Sequence, residues 1–163
     1  WISALFFAFH ALAGANLDLR KAPVGTKFVT SKGGAFSLVF RSSSGQEAWL
    51  DEKSKILWGD ALSERIHRKE AASLCARKSE GETLVAGLHL NELPTLADYE
   101  EAEEHGFREV LPRMTNSYYW IRSSVPNAPN IGHVFSGNLG KPVLILYRSI
   151  NYERVRCIRR NAG

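Results

Sequence analysis

The sequence lacks the patterns by which most nucleotide-dependent and serine-nucleophile enzymes are recognised. It has no Walker phosphate loop and no dinucleotide fingerprint, because the glycines of Gly137-Asn138-Leu139-Gly140 are expected to join two strands instead of opening a helix. The serine runs at 42–44 and 123–124 have no histidine or acidic partner at the spacing of a known nucleophile motif. We therefore predict that the protein is not an enzyme.

Metal ligands are also missing in their usual arrangements. Outside residues 1–15, the histidines at positions 67, 89, 105 and 133 lie in separate predicted elements, without the short spacing of a zinc site. Four glutamates fall within residues 100–104, but over five helical residues they point around the helix instead of at one ion. We interpret these glutamates as a solvated helix face. We predict neither a metal nor another cofactor.

Long apolar runs are scarce, and the clearest one lies at the start of the sequence. Residues 1–15 end in Ala13-Gly14-Ala15, which has the small-x-small form of a signal-peptidase site, and the run is too short to span a bilayer. We predict a truncated signal peptide over 1–15, a secreted, periplasmic or cell-surface location, and no stable membrane insertion after its removal. The alternative is a buried first helix.

Cysteine is rare, since the sequence contains only Cys75 and Cys157. Helical spacing over 67–78 turns Cys75 toward the core, and strand alternation over 153–159 does the same for Cys157. Two such thiols pair in an oxidising compartment, and closing a loop of this length stabilises a fold by roughly 4 kcal/mol. We predict a Cys75–Cys157 disulfide, with two buried free thiols as the alternative.

Charge is unevenly distributed along the chain. Residues 16–104 contain 12 Lys/Arg and 15 Asp/Glu, whereas residues 105–163 contain 9 and 2. The electropositive second part suits phosphate, sulfate or uronate groups on an envelope or glycan, although a solvated surface without a partner explains any single arginine equally well. We do not predict nucleic-acid binding, because an exported protein rarely meets nucleic acid.

The length of residues 16–163 suits one compact domain, and hydrophobic periodicity predicts the α+β class. The predicted elements, in order, are strands over 27–30, 35–40, 48–51 and 55–58, helices over 67–78 and 95–105, and strands over 118–124, 132–135, 142–147 and 153–159. Thr95 and Asp98 predict a capping box for the second helix, and Gly106 predicts its end. In the last strand, alternation places Val155 and Cys157 on the core face and Arg154 and Arg156 on the other.

Several short sequences occur in an order that matches this succession of elements. They are WLD at 49–51, ILWGD at 56–60, ASLC at 72–75, LPT at 93–95, VLP at 110–112, YWIRSSV at 119–125, FSGN at 135–138 and VRCI at 155–158. Over residues 46–159 the chain resembles bacterial C-type-lectin-like domains. This branch includes formylglycine-generating enzymes, the C-terminal domains of collagen-like adhesins and the variable proteins of diversity-generating retroelements.

The resemblance implies a C-type-lectin-like fold: two helices, a twisted antiparallel sheet, long loops and one helix-to-strand disulfide. It implies a domain over 46–163, preceded by an N-terminal β extension over 16–45 that the resemblance does not cover. Formylglycine-generating enzymes use a close pair of redox-active cysteines, whereas the two cysteines here lie in a helix and a strand. The loop at 126–130 offers amides but no carboxylate for a lectin-type calcium site. The resemblance thus implies the fold and not the activity.

Members of this branch are mostly binding modules that use loops and the exposed faces of late strands. We predict a non-catalytic module that holds a glycan or cell-surface component through the loop at 125–131 and the adjacent strands. Tyrosine rings can stack on sugars, and the candidates are Tyr119, Tyr147 and Tyr152. Arginines can bind acidic groups, and the candidates are Arg122, Arg148 and Arg154. Asparagines can hydrogen-bond to hydroxyls, and the candidates are Asn127, Asn130 and Asn151. For each tyrosine the alternative is a core ring. The rival function is a protein-interaction or structural domain, such as the tip of a surface or adhesin assembly.

Overall fold

The structure is a computed structural model that describes residues 19–76, 88, 90–114, 117–122, 131–146 and 152–160. The predicted signal peptide and most of the predicted binding loop lie outside the described residues. The strands are β1 Lys27–Val29, β2 Ala35–Arg41, β3 Glu47–Asp51, β4 Leu57–His67, β5 Tyr118–Trp120, β6 Ile131–Ser136, β7 Lys141–Leu146 and β8 Tyr152–Arg159. The α-helices are α1 Arg68–Ala76 and α2 Leu96–Glu104, with 3₁₀ turns at Leu19–Lys21 and Phe107–Glu109.

The strands form one mixed sheet in the order β1-β2-β3-β4-β8-β5-β6-β7. Neighbouring strands are antiparallel except β5 and β8, which are parallel with Tyr119 opposite Arg154. The expectation of a purely antiparallel sheet is therefore wrong at this pair. Alternation along a strand reports which residues share a face, but it carries no information about the direction of a distant neighbour. The α+β class and the two helices are confirmed.

The middle of the sheet is buried on both faces, because alternate residues of its central strands enter two different cores. The α2-side core contains, among others, Trp58, Tyr99, Tyr119, Phe135 and Ile158. The α1-side core contains, among others, Cys75, Trp120, Val134, Val155 and Cys157. Tyr99 stacks on Phe135 with ring centroids 4.5 Å apart, so α2 packs directly on the sheet. The two helices therefore cover opposite faces.

Helix α2 is fixed at both ends by its own sequence. The hydroxyl of Thr95 accepts a hydrogen bond from the backbone N–H of Asp98 at 3.3 Å, and the carboxylate of Asp98 accepts one from the backbone N–H of Thr95 at 2.6 Å. This is the predicted capping box. At the other end Gly106 has φ of +79°, a left-handed conformation that a side chain disfavours. The predicted start and end of this helix are confirmed.

Helix α1 continues directly from β4 and is covalently attached to β8. Cys75 and Cys157 form a disulfide, with their Cα atoms 5.6 Å apart and a sequence separation of 82. Both cysteines are buried in the α1-side core. The predicted disulfide is confirmed. Among the described residues, no helix is long and apolar enough to span a membrane.

Candidate functional site: a basic and aromatic patch on β4 and β8

Strand β4 extends to His67, well past its predicted end at residue 58, and its last residues pair with the start of β8. Arg65 lies opposite Arg154, and His67 lies opposite Tyr152. Cross-strand partners project to the same side of a sheet, as do residues two apart on one strand. The four side chains therefore form a two-by-two group on one face. We call Arg65, His67, Tyr152 and Arg154 the β4–β8 patch.

The patch lies on the α2 side of the sheet and is open to solvent. Tyr152 is 48% exposed, Arg65 is exposed, and His67 and Arg154 are half-buried. The rings of Tyr152 and His67 meet edge to face, with centroids 5.9 Å apart. This contact restricts the orientation of an aromatic ring that is otherwise accessible to a ligand.

Arg154 is held in place by an irregular part of β4. The pairing register shifts between Ala61 and Arg65, and such a bulge leaves backbone groups without a ladder partner. Nη1 of Arg154 donates to the carbonyls of Leu62, at 3.1 Å, and Ser63, at 3.4 Å. Its Nε is buried and has no partner among the described residues. The guanidinium of Arg154 is thus fixed, and its register partner Arg65 has an exposed side chain.

The electrostatics of the patch favour an anion. Like charges directly opposite each other on two strands repel, and the described residues place no carboxylate within 4.0 Å of the guanidinium of Arg65 or Arg154. Glu153 alternates to the other face; burial raises the pKa of its carboxyl, and the charge of Arg65 partly offsets this effect. Helix α1 begins at Arg68, so the positive end of its dipole lies next to His67.

The structure brings together only part of the predicted contact set. Tyr152 and Arg154 lie in the patch. Arg122 lies three residues beyond Tyr119, the β5 partner of Arg154, which is roughly 10 Å along the strand direction. The guanidinium of Arg122 instead lies 3.0 Å from the carboxylate of Glu92. Arg122 is therefore separate from the patch.

Tyr119 is a core residue, which was the alternative stated for each predicted tyrosine contact. Its side chain is completely buried in the α2-side core, and its hydroxyl donates to the carbonyl of Arg113. A ring without an exposed face cannot stack on a sugar, so we remove Tyr119 from the contact set. Five other predicted contacts lie outside the described residues: Asn127, Asn130, Tyr147, Arg148 and Asn151.

Arg156 shares the face of Arg154 but is completely buried. It donates to the carbonyls of Gly59 and Pro112, the latter at 2.6 Å, and its guanidinium lies 5.7 Å from the centre of the Tyr119 ring. Burial raises the pKa of the nearby Asp60 carboxyl, and the charge of Arg156 opposes that shift. The prediction that Arg156 lies on a face away from the core is wrong, because both faces of β8 are covered at this point.

A second polar pair, Asp51 and His105, has the chemistry of an acid–base couple but not its accessibility. Nδ1 of His105 lies 2.6 Å from Oδ2 of Asp51, and both side chains are buried. The carbonyl of His105 also accepts a hydrogen bond from the hydroxyl of Thr30. These contacts join the end of α2 to two turns of the sheet, so we assign the pair a structural role. Among the described residues, no group of three or more His, Cys, Asp or Glu side chains could hold a metal ion.

Sequence reasoning missed Arg65 and His67 as members of the site. Strand alternation would place residues 65 and 67 on one face. The polar run Ser63-Glu64-Arg65 does not have the composition of a strand, however, so no strand was predicted there. Comparison with protein-family models, curated proteins and solved structures found no match for the chain. The site is therefore defined by its own geometry: an exposed ring beside two guanidinium groups.

Proposed function

We propose that the protein is an exported, non-catalytic binding module with a C-type-lectin-like fold that recognises a glycan or another component of a cell envelope or surface. The β4–β8 patch is the observation that carries this proposal. Its half-exposed tyrosine suits the apolar face of a sugar ring, and its arginines suit acidic substituents.

Two further features support the proposal. Two helices on opposite faces of a sheet, with a disulfide from α1 to the last strand, agree with the element order on which the resemblance rests. A disulfide of this kind persists in the oxidising compartments that exported proteins enter. Neither feature identifies a ligand, so the proposal depends on the patch.

A glycan array combined with a salt titration of binding to intact cells tests the function. We expect binding to at least one envelope or surface glycan, and we expect it to weaken as salt screens the arginines. Tyr152→Ala should reduce this binding, because it removes the exposed ring. Val29→Ala removes an exposed apolar side chain from β1, far from the patch, and should leave binding unchanged. Failure to bind any glycan or cell surface would contradict the proposal.

The second candidate is a protein-interaction or structural domain, and the outer strand β7 favours it. Among the described strands β7 ends the sheet order, and Leu144 on this strand is 60% exposed. An edge strand presents unpaired backbone groups to which another chain can add a strand. Crosslinking on intact cells separates the two candidates: a protein partner that is lost in Leu144→Lys and retained in Tyr152→Ala would favour the second.

A further inference from the structure

The ligand of the β4–β8 patch can be narrowed to one chemical class, and this step rests on the proposed function. We infer that the patch binds a saccharide unit that carries an anionic oxygen group, a carboxylate or a sulfate. The sugar ring stacks on Tyr152, and the anionic group lies between Arg154 and Arg65.

The spacing along β8 places the ring and the charge next to each other. Tyr152 and Arg154 are two residues apart on one face, which separates their Cα atoms by roughly 7 Å. A sugar that covers the exposed face of Tyr152 therefore directs a substituent toward Arg154. The edge contact with His67 restricts the Tyr152 ring before binding, so less side-chain freedom is lost when the sugar stacks.

Arg154 is also arranged in advance of binding. Its Nη1 is occupied by the carbonyls of Leu62 and Ser63, and this contact fixes the plane of the guanidinium. A preorganised donor binds an anion more tightly than a freely rotating one, because the entropy of fixing it has already been lost on folding.

The position of Arg65 explains why the substituent should be anionic. Arg65 and Arg154 are register partners, so their Cβ atoms are about 5 Å apart and their charges repel. An anion between the two guanidinium groups replaces this repulsion with two charge-assisted contacts. A neutral saccharide leaves the repulsion unchanged. The patch should therefore discriminate strongly between charged and neutralised forms of one sugar.

The test measures affinities of the oxidised chain by calorimetry at one ionic strength. The probes are a sulfated galactan oligosaccharide, its desulfated and therefore uncharged form, an oligogalacturonate, and its methyl ester. We expect one charged form to bind about tenfold or more tightly than its matched neutralised form, which corresponds to one favourable charge contact. The sulfate and carboxylate pairs identify which source of negative charge is preferred.

Matched variants locate the binding. Arg65→Gln should weaken binding of the preferred anionic probe about tenfold and leave thermal stability unchanged, since Arg65 is exposed. Lys27→Gln removes the same charge from β1, across the sheet, and should change affinity by less than about twofold. Tyr152→Ala should abolish discrimination between the saccharide and inorganic sulfate, whereas Tyr152→Phe should retain it. Because Arg65→Gln and Lys27→Gln are surface changes, the test does not depend on a variant that risks misfolding.

Three results would overturn the inference. Equal affinity for charged and neutralised forms would leave the proposed function standing and reject the anionic class. Equal losses in Arg65→Gln and Lys27→Gln, or equal binding of dextran sulfate and single-stranded DNA, would indicate general charge attraction. Absence of binding to all four probes, together with binding to neutral glycans on the array, would reject the anionic class and leave the proposed function standing; absence on the array as well would reject the proposed function itself.

Discussion

The two halves of β8 each contain an arginine but have opposite surroundings. Residues 155–158, the covered half, are buried on both faces, with Cys157 in the α1-side core and Ile158 in the α2-side core. Residues 152–154, the open half, include the exposed Tyr152 and the half-buried Arg154. An arginine occurs in each half, so the role of each arginine depends on whether other elements pack over its part of the strand.

Arg154 and Arg156 make the comparison sharp, because both donate to carbonyls of β4. Arg156 also reaches Pro112 and lies against the Tyr119 ring, so its charge is enclosed by protein. Arg154 is held only on its β4 side by described contacts, and beside it stands another arginine. A buried arginine of this kind supports the fold, whereas a fixed and accessible one is suited to a ligand.

The largest effect is expected when the covered half loses its covalent link to α1. The double variant Cys75→Ala/Cys157→Ala should lower the free energy of unfolding by about 4 kcal/mol, because the unfolded chain gains the freedom of an 82-residue loop. Urea unfolding of the variant and of the reduced wild-type protein provides the measurement. The two should agree, and a loss below about 1 kcal/mol would show that packing alone holds α1 on β8.

Arg156→Leu should have the next largest effect, a loss of about 3 kcal/mol in the free energy of unfolding. The change leaves the carbonyls of Gly59 and Pro112 buried without a donor and removes the positive charge near Asp60. Arg154→Gln serves as the control, with an expected loss of about 1 kcal/mol. Equal losses from the two variants in chemical denaturation would remove the distinction between the halves.

Destabilising α2 should weaken its packing on the α2 side of the sheet without changing any residue of β8. Thr95→Ala removes the hydroxyl of the capping box and should destabilise the protein by about 1 kcal/mol, while Thr95→Ser should be close to neutral. Amide hydrogen exchange should rise in α2 more than at 152–154. A uniform rise along β8 would argue that the two halves unfold as one unit.

The smallest effect concerns Glu153 in the open half, and it depends on pH. Burial raises the pKa of this carboxyl above its ordinary value of 4.5, so the folded state retains the proton to higher pH than the unfolded state does. The resulting stability is present below the ordinary pKa and is lost as pH rises through the folded pKa. Glu153→Gln should therefore stabilise the protein slightly at pH 7 and not at pH 4, by under about 0.5 kcal/mol because the carboxyl is only partly buried and solvent weakens the effect. Urea unfolding at both pH values checks the sign, and a stabilisation that grows at pH 4 would contradict it.

Sequence reasoning succeeded where neighbouring residues determine the outcome. Thr95, Asp98 and Gly106 specify the ends of α2 through contacts within a few residues, and helical or strand periodicity was enough to turn Cys75 and Cys157 inward. It was less successful in β4, because the bulge at 61–65 interrupts the alternation from which a strand is predicted.

The failures have one physical origin, which is that burial depends on distant elements. Alternation placed Arg154 and Arg156 on one face, but it could not show that only the second lies within a core formed by α2 and β5. The same limit applies to Tyr119. Tyr152 and Arg154 were predicted from their side-chain chemistry and their place at the last strand, whereas their pairing with His67 and Arg65 requires a register between segments more than 80 residues apart.

The disulfide also determines how the domain responds to mechanical tension. Cys75 and Cys157 close a covalent loop, so a force applied outside residues 75–157 passes through the sulfur bridge and cannot extend the chain within it. That loop contains α2, β5, β6, β7 and most of β8, including the Tyr152 and Arg154 part of the patch. If the protein is pulled while it holds a surface ligand, β1 to β4 can extend, whereas the chain that carries half of the patch keeps its contour length.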